Sequence, residues 1–302
     1  MIKYKITPEQ RREFNDKGFL VLPNAIPVNL LSKWRDLLSE FNENALKSYS
    51  KSLEVPNAYF IEGLDQPLLS RVNDLLAFYP DAVLDLLACP VMMAIAQDFC
   101  GPDVVPLQCD ALFKHNHPES AISWHQDALY PRKYPYLNIG IYLDDADIGD
   151  GCLNYVVNSQ HETQDICKLV HKHGWNIPDM VSVPVKAGDI IIQDMMVLHG
   201  SQMKRNKGVR RTIYVEMRPA IAVLDQGAQS KKWMELRKRW MGIVVRRSNV
   251  TWPGESETEL PKDLKSDSEE IKQILLHREP PIPAHYCIEN INSTYKSFKI
   301  EK

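Results

Sequence analysis

Apolar positions in the first third of the chain recur at helical spacing, whereas those in the middle third fall into short runs separated by turn residues. Thr7-Pro8-Glu9-Gln10 reads as a helix start, with Thr7 as N-cap, proline at the first position and glutamine at the capping-box site. Gly18 ends that helix, and Phe19-Leu20-Val21-Leu22 reads as a short buried strand. Over residues 28–47, Leu30, Trp34, Leu37, Leu38 and Phe41 form the stripe of an amphipathic helix that covers a sheet. Ala58-Tyr59-Phe60-Ile61 fits another strand. Residues 80–99 are helical again, with Val83, Leu84, Leu87, Val91 and Ile95 as the buried stripe and Pro90 placed to break or kink it. Met92 and Met93 read as packing, not as metal ligands.

Between residues 104 and 220 the pattern predicts strands at 104–114, around Trp124–Asp127, and at 136–143, 152–157, 180–185, 190–199 and 209–217. Turns fall at His117-Pro118, Gly149-Asp150-Gly151 and Gly188-Asp189. A series of short strands without long helices between them predicts a sandwich or small barrel, best fitted by a jelly roll. After residue 225 the chain returns to helix. Trp233, Leu236, Trp240 and Met241 lie among Lys231, Lys232, Arg237, Lys238 and Arg239, a basic face expected to be solvated. The polar tail, residues 255–302, contains Pro280-Pro281-Ile282-Pro283 and is expected to wrap the domain. With no repeat and no linker, the expectation is one domain over 1–302: a mainly helical part (1–103), a β core (104–220) and a helical extension (221–302).

Composition narrows the classes. A formal charge of −3 with 25% charged residues implies no polyanion partner such as nucleic acid. No run of eighteen apolar residues is present, so no membrane span is expected. The start, Met1-Ile2-Lys3-Tyr4-Lys5, lacks the apolar region of a signal peptide, which predicts a soluble cytoplasmic protein. Cysteines at 89, 100, 109, 152, 167 and 287 give no Cys-x-x-Cys and are expected to be buried thiols in a reducing compartment. Glycosylation sequons at Asn249 and Asn292 carry little weight without a secretory signal.

The chemistry concentrates in Trp124-His125-Gln126-Asp127 and His199-Gly200-Ser201. On a strand, residues 125 and 127 share a face, and a histidine 72 positions beyond Asp127 (199 − 127 = 72) can close a triangle. Two imidazoles and one carboxylate form the facial set that suits non-haem Fe(II) and leaves positions open. Alone, a His-x-Asp is weak, and a histidine packed beside a capping aspartate is the bland reading. Its weight comes from the turn Ala187-Gly188-Asp189, the run Ile190-Ile191-Ile192 leading to His199, and Arg210 and Arg211, which lie 11 and 12 residues past that histidine. An arginine fork suits a dicarboxylate co-substrate. On a strand the two arginines face opposite ways; Arg210 shares its side with Thr212 and Tyr214, and Arg211 with Ile213, Val215 and Met217. His115, His117, His161, His171 and His173 read as solvated loop residues. No Gly-x-Ser-x-Gly, Gly-x-Gly-x-x-Gly or Walker-type loop occurs.

These residues resemble the phytanoyl-CoA dioxygenase-like family of Fe(II)/2-oxoglutarate-dependent oxygenases over residues 7–220. The resemblance is carried by Gly18-Phe19-Leu20-Val21-Leu22-Pro23, Leu107-Gln108 with Phe113-Lys114, Trp124-His125-Gln126-Asp127, Leu143-Asp144-Asp145-Ala146, Gly151-Cys152-Leu153, His199-Gly200-Ser201 and Arg210. It implies a double-stranded β-helix with flanking α-helices, and iron on His125, Asp127 and His199. It also implies 2-oxoglutarate bound to Arg210 with help from Ser201, O2 as the oxidant and a small-molecule substrate. Gln108 and Asp110 are further candidates for the cofactor pocket, Asp110 being equally readable as a buried structural carboxylate. Gly140 stands where relatives often have tryptophan, which is expected to open space beside the co-substrate. Val157-Asn158-Ser159-Gln160-His161 replaces the usual Pro-Gly-Ser-His. Tyr130, Arg132, Lys133 and Tyr134, residues 161–180 with Trp175, and the basic helix are expected to shape the substrate pocket. The alternative is a jelly-roll binding or regulatory protein without turnover, which has no evident need of the triad and the arginine together.

Overall fold

The short runs of the middle third pair into two antiparallel sheets of a jelly roll. The computed structural model describes residues 4–117, 120–248, 250, 252–253 and 267–287. Its strands are β1 (Phe19–Leu22), β2 (Ala58–Ile61), β3 (Leu68–Val72), β4 (Val104–Lys114), β5 (Ile122–Gln126), β6 (Leu137–Tyr142), β7 (Leu153–Val156), β8 (Met180–Val183), β9 (Ile190–Asp194), β10 (His199–Ser201), β11 (Arg210–Pro219) and β12 (His285–Tyr286). One sheet runs β1-β9-β6-β11-β4-β3-β2, the other β12-β5-β10-β7-β8. The helices are α1 (Pro8–Lys17), α2 (Val28–Tyr49), α3 (Pro80–Leu87), α4 (Pro90–Ile95), α5 (Ile166–His173), α6 (Ala220–Gln226), α7 (Lys231–Arg247) and α8 (Asp267–Leu276).

Side-chain alternation divides the larger sheet into two chemically distinct faces. Ile213, Val215 and Met217 of β11 join Ile139, Ile141 and Cys109 in a core shared with Trp34 and Leu38 of α2, Val83 and Leu87 of α3, and Ile243 and Val244 of α7. The opposite face carries Arg210, Thr212, Tyr214, Glu216 and Arg218 on β11, with Tyr142, Gly140 and Asn138 on β6 as their neighbours from Thr212 to Glu216. Helices thus cover one side, and the other closes against the smaller sheet, where Phe19 stacks on Tyr155 of β7 at 4.3 Å.

Thr7 caps α1 as expected, its side chain accepting from the Gln10 N–H while Gln10 returns the bond. Gly18 follows in the left-handed region at φ 83°. Pro90 divides the second helical stretch into α3 and α4, and the pair bends by 58°. No single helix among the described residues is long and apolar enough to cross a membrane.

Four expectations are corrected. Residues 190–199 form not one strand but two, β9 and β10, in different sheets. Asp194 turns the chain between them, its Oδ1 accepting from Met196 N and its carbonyl from Val197 N. His171 and His173 close α5 instead of lying in a loop; there the helix dipole favours positive charge. Arg237 is buried between the rings of Trp233 and Trp240, because a flat guanidinium stacks on indole without a water shell. Cys167 and Cys287 form a disulfide joining α5 to the segment after β12, so only Cys89, Cys100, Cys109 and Cys152 are buried thiols. The sequons at Asn249 and Asn292 lie outside the described residues.

The disulfide spans 120 residues, a loop long enough for closure to constrain the unfolded chain strongly. Reduction is expected to lower unfolding free energy by ~2–4 kcal/mol, read by denaturant titration with and without reductant. Mass spectrometry of the non-reduced protein should find two hydrogens missing; a chain carrying six free thiols would contradict the pairing.

Candidate active site

Antiparallel pairing sets His125 of β5 directly opposite His199 of β10. Cross-strand partners project to the same side, and the two rings lie 4.1 Å apart. Asp127 is the first residue past the end of β5, and its Oδ1 lies 3.3 Å from His125 Nε2 and 3.7 Å from His199 Nε2. One ligand atom from each of the three residues lies within 4.8 Å of the others, so a single ion can touch all three. Each histidine turns its other nitrogen to a backbone carbonyl, His125 Nδ1 to Ser123 at 2.8 Å and His199 Nδ1 to Val197 at 3.0 Å. A carbonyl only accepts, so Nδ1 carries a proton and Nε2 is the nitrogen turned to the site, where it meets Asp127 in His125 and the Gln193 amide, at 3.2 Å, in His199, contacts a metal would replace. Gly200 permits a close approach here: a Cβ would sit 3.1 Å from both the Ile122 carbonyl and the Trp175 ring, and both would have to give way by a few tenths of an ångström.

Asp127 is fixed by two amides. Gln193 Nε2 and Asn138 Nδ2 both donate to its Oδ2, at 2.7 and 2.8 Å. Tyr155 donates to Gln193 Oε1 at 2.6 Å, which sets the orientation of that amide. Burial would raise the Asp127 carboxyl, but the charges of His199 and His125 and the bonds from His125 and Asn138 hold it well below the usual range. Burial and the neighbouring His125 charge push His199 down to about 4. Burial also works against a charged His125, yet its bond and attraction to Asp127 raise it. An ionised carboxylate beside a neutral His199 is the donor set a divalent cation needs.

A second feature lies along β11. Arg210 is 1% exposed; its Nη1 donates to the Gly151 carbonyl, and its Nε and Nη2 have no hydrogen-bond partner among the described residues. Lys114, its cross-strand partner on β4, donates to Ser201 Oγ at 2.8 Å and to the Ser120 carbonyl at 2.6 Å. Burial pushes Lys114 well down, and the Arg210 charge adds to the effect. Ser201 in turn donates to the Gly151 carbonyl at 2.8 Å. Leaving charged donors buried and unpaired is costly, and a carboxylate would relieve it. This end of the barrel therefore fits a dicarboxylate. Arg211 points the other way, gripping Asp144 through Nε and Nη2 at 2.8 and 2.9 Å and Ser39 of α2 at 2.7 Å.

The other expected residues are placed differently. Gln108 donates to Glu216, away from Arg210, because it lies six positions before Lys114 along β4. Asp110 is a buried structural carboxylate: Arg71 and the Asp74 N–H take its two oxygens at 2.6 and 2.8 Å. Gly140 opens no space. A Cβ there would meet the Tyr214 ring at 3.1 Å and the Tyr142 ring at 3.4 Å, so two tyrosines occupy the volume a tryptophan would need. Trp175 packs behind the metal-bearing strands against Trp124, at 5.4 Å, and not in the pocket. Tyr130 and Arg132 both bind Asp194, and Lys133 reaches Asp225. Gln193, Asn138 and the role of Lys114 escape the sequence reading. The usable signal is their position on alternating inward sites of β9, β6 and β4, which requires the register.

The family model for phytanoyl-CoA dioxygenase (PhyH) matches residues 14–212. No curated protein matches the chain. Among solved structures, AviO1 from Streptomyces viridochromogenes Tue57 is similar at 25% identity and TM-score 0.58, over 71% of this chain and 96% of that one. HygX from Streptomyces hygroscopicus with nickel and 2-oxoglutarate bound aligns over 72% and 88% at 20% identity, TM-score 0.55. EctD from S. alaskensis with 2-oxoglutarate and 5-hydroxyectoine aligns over 74% and 79% at 16% identity, TM-score 0.57.

Replacing Gln193 with Ala should leave the fold intact and weaken divalent-metal affinity by about 10–100-fold, the scale for losing a group that orients a ligand. Cobalt titration followed by its absorption bands measures this. Wild-type affinity in Gln193→Ala would show that the amide does not position Asp127.

Proposed function

Since the chain belongs to the phytanoyl-CoA dioxygenase family, we propose that it is an Fe(II)/2-oxoglutarate-dependent dioxygenase that hydroxylates or otherwise oxidises a small organic molecule. The observation that carries this reading is the coexistence of three converging ligand atoms on His125, Asp127 and His199 with the unpartnered Nε and Nη2 of buried Arg210. A fold-only relative without turnover has no use for both. The nickel and 2-oxoglutarate present in HygX support the same pair of ligands here.

Bound iron would supply the oxidative decarboxylation of 2-oxoglutarate to succinate and carbon dioxide, together with the oxidising power applied to the substrate. The chain's own residues do the rest. His125, Asp127 and His199 would hold the metal, each through one ligand atom. Gln193 and Asn138 lock one oxygen of Asp127, so the other keeps its aim. Arg210 takes the far carboxylate of the co-substrate. Ser201 and Lys114 support it through the Gly151 carbonyl and the shared inner face. Phe19, Tyr142 and Tyr155, packed in one apolar cluster, keep bulk water from this end. A halide ligand would need the coordination site that a small residue in place of Asp127 would leave open; Asp127 would fill it, so oxidation and not halogenation is the expected outcome.

Anaerobic binding of Fe(II) and 2-oxoglutarate, followed by a metabolite screen for succinate release, tests the proposal as a whole. His199→Ala should lose metal and turnover together while remaining folded, whereas His171→Ala should be near silent; unchanged iron content in His199→Ala would sink the ligand assignment. Arg210→Gln should weaken 2-oxoglutarate by ~2–4 kcal/mol, the cost of a lost buried charge-assisted pair, with iron retained. Arg211→Gln should change the dissociation constant little and cost stability through Asp144. The reverse ranking under nitrogen would exchange the two arginines. Chlorinated product from the unmodified protein would contradict the role given to Asp127.

A further inference from the structure

Arg210 is not the only guanidinium sealed inside the barrel with donors to spare. Arg218, on the same face of β11, is also 1% exposed, and its Nε and Nη1 have no hydrogen-bond partner among the described residues. Its contact with a charged group is Nη2 to Glu216 Oε2 at 3.3 Å, the Tyr136 hydroxyl also interacts with the guanidinium, and the other Glu216 oxygen accepts from Gln108. Its flat side lies over the Tyr136 ring at 4.2 Å, and Tyr136 stacks on Tyr130 at 3.9 Å. Stacking fixes the plane of the guanidinium but uses no N–H.

The position of Arg218 relative to the metal ligands gives these free donors a direction. Glu216 pairs in register with Asn138, which binds Asp127 Oδ2 at 2.8 Å, so Arg218 stands one same-face step from the residues that hold the triad. Arg210 lies on the same strand eight residues away, about 26 Å at about 3.3 Å per residue. A five-carbon diacid bound at Arg210 cannot reach Arg218. The two unpaired forks therefore call for two different anions, at opposite ends of the inner face.

We propose that Arg218 anchors a carboxylate or phosphate group of the substrate, so that the molecule oxidised is an anionic small molecule held across the metal from 2-oxoglutarate. This rests on the oxygenase reading for the word substrate; the anion site itself rests on Arg218. Glu216 does not cancel the site: its single contact leaves two donors unmet, and burial holds its carboxyl up to about 7. Gln108 and Glu216 then offer a polar edge to the same ligand, and Tyr136 an apolar one.

The test uses the full chain, 15N-labelled on arginine, with zinc as a redox-silent metal and saturating 2-oxoglutarate. Arginine Nε–H resonances are followed while acetate or, separately, inorganic phosphate is added. The resonance lost in Arg218→Lys should shift saturably with one of the two anions, which identifies the group recognised, and calorimetric titration with that anion should show affinity falling at least tenfold in Arg218→Gln. If that variant does not fold, the wild-type titration decides alone. No shift at Arg218 with either anion, while 2-oxoglutarate moves the Arg210 resonance, overturns this inference and spares the oxygenase reading. Failure of 2-oxoglutarate to move the Arg210 resonance overturns that reading instead, whatever Arg218 does.

Discussion

Everything at the centre of this molecule depends on the direct opposition of His125 and His199 across β5 and β10. Antiparallel pairing places both rings on one side at a separation no flexible loop would hold, and the two carbonyls behind them, Ser123 and Val197, choose which nitrogen faces the centre of the site. The small sheet therefore supplies ligands, and the large sheet supplies the amides that discipline the third ligand, Asp127, which lies past the strand end. The barrel is needed because neither sheet carries the complete site.

The large sheet also solves a problem of charge. Its inner face buries Lys114, Arg210 and Arg218. Cations are placed in such surroundings only where something offsets their lost hydration. Lys114 finds Ser201 and two carbonyls, Ser120 and Ser201. The two arginines do not find enough, and that shortfall is the physical ground on which ligands are proposed at both. On the outer face the same strand meets its needs in full: Arg211 is saturated by Asp144 and α2 and serves the attachment of helix to sheet.

Much of this was legible before any coordinates. The capped first helix, the break at Pro90, the extent of β4 and the opposite facing of Arg210 and Arg211 follow from local spacing alone, whereas joining His199 to His125 and Asp127 took the features around His199 and the family resemblance. What escaped needed partners distant in sequence. An apolar run through residues 190–199 looks continuous, because the turn after Asp194 is built by that residue's own carboxylate and not by glycine or proline. Asp110 looks like a pocket residue until Arg71 arrives from β3. Gly140 looks like empty space until Tyr214, one strand over, is seen to fill it. Cys167 and Cys287 are too far apart for spacing to associate them, and only the return of the tail to the small sheet brings them together.

That return has a further meaning for the strand that carries His125. One side of β5 is paired to β10; the other would be a naked rim of N–H and C=O groups, open to any passing strand. Tyr286 and His285 cover that rim opposite His125 and Gln126, a patch of only two residues riveted in place by the neighbouring cystine. A chain cut short before His285 would keep all three metal ligands yet present its most consequential strand as an adhesive edge, prone to joining a second molecule.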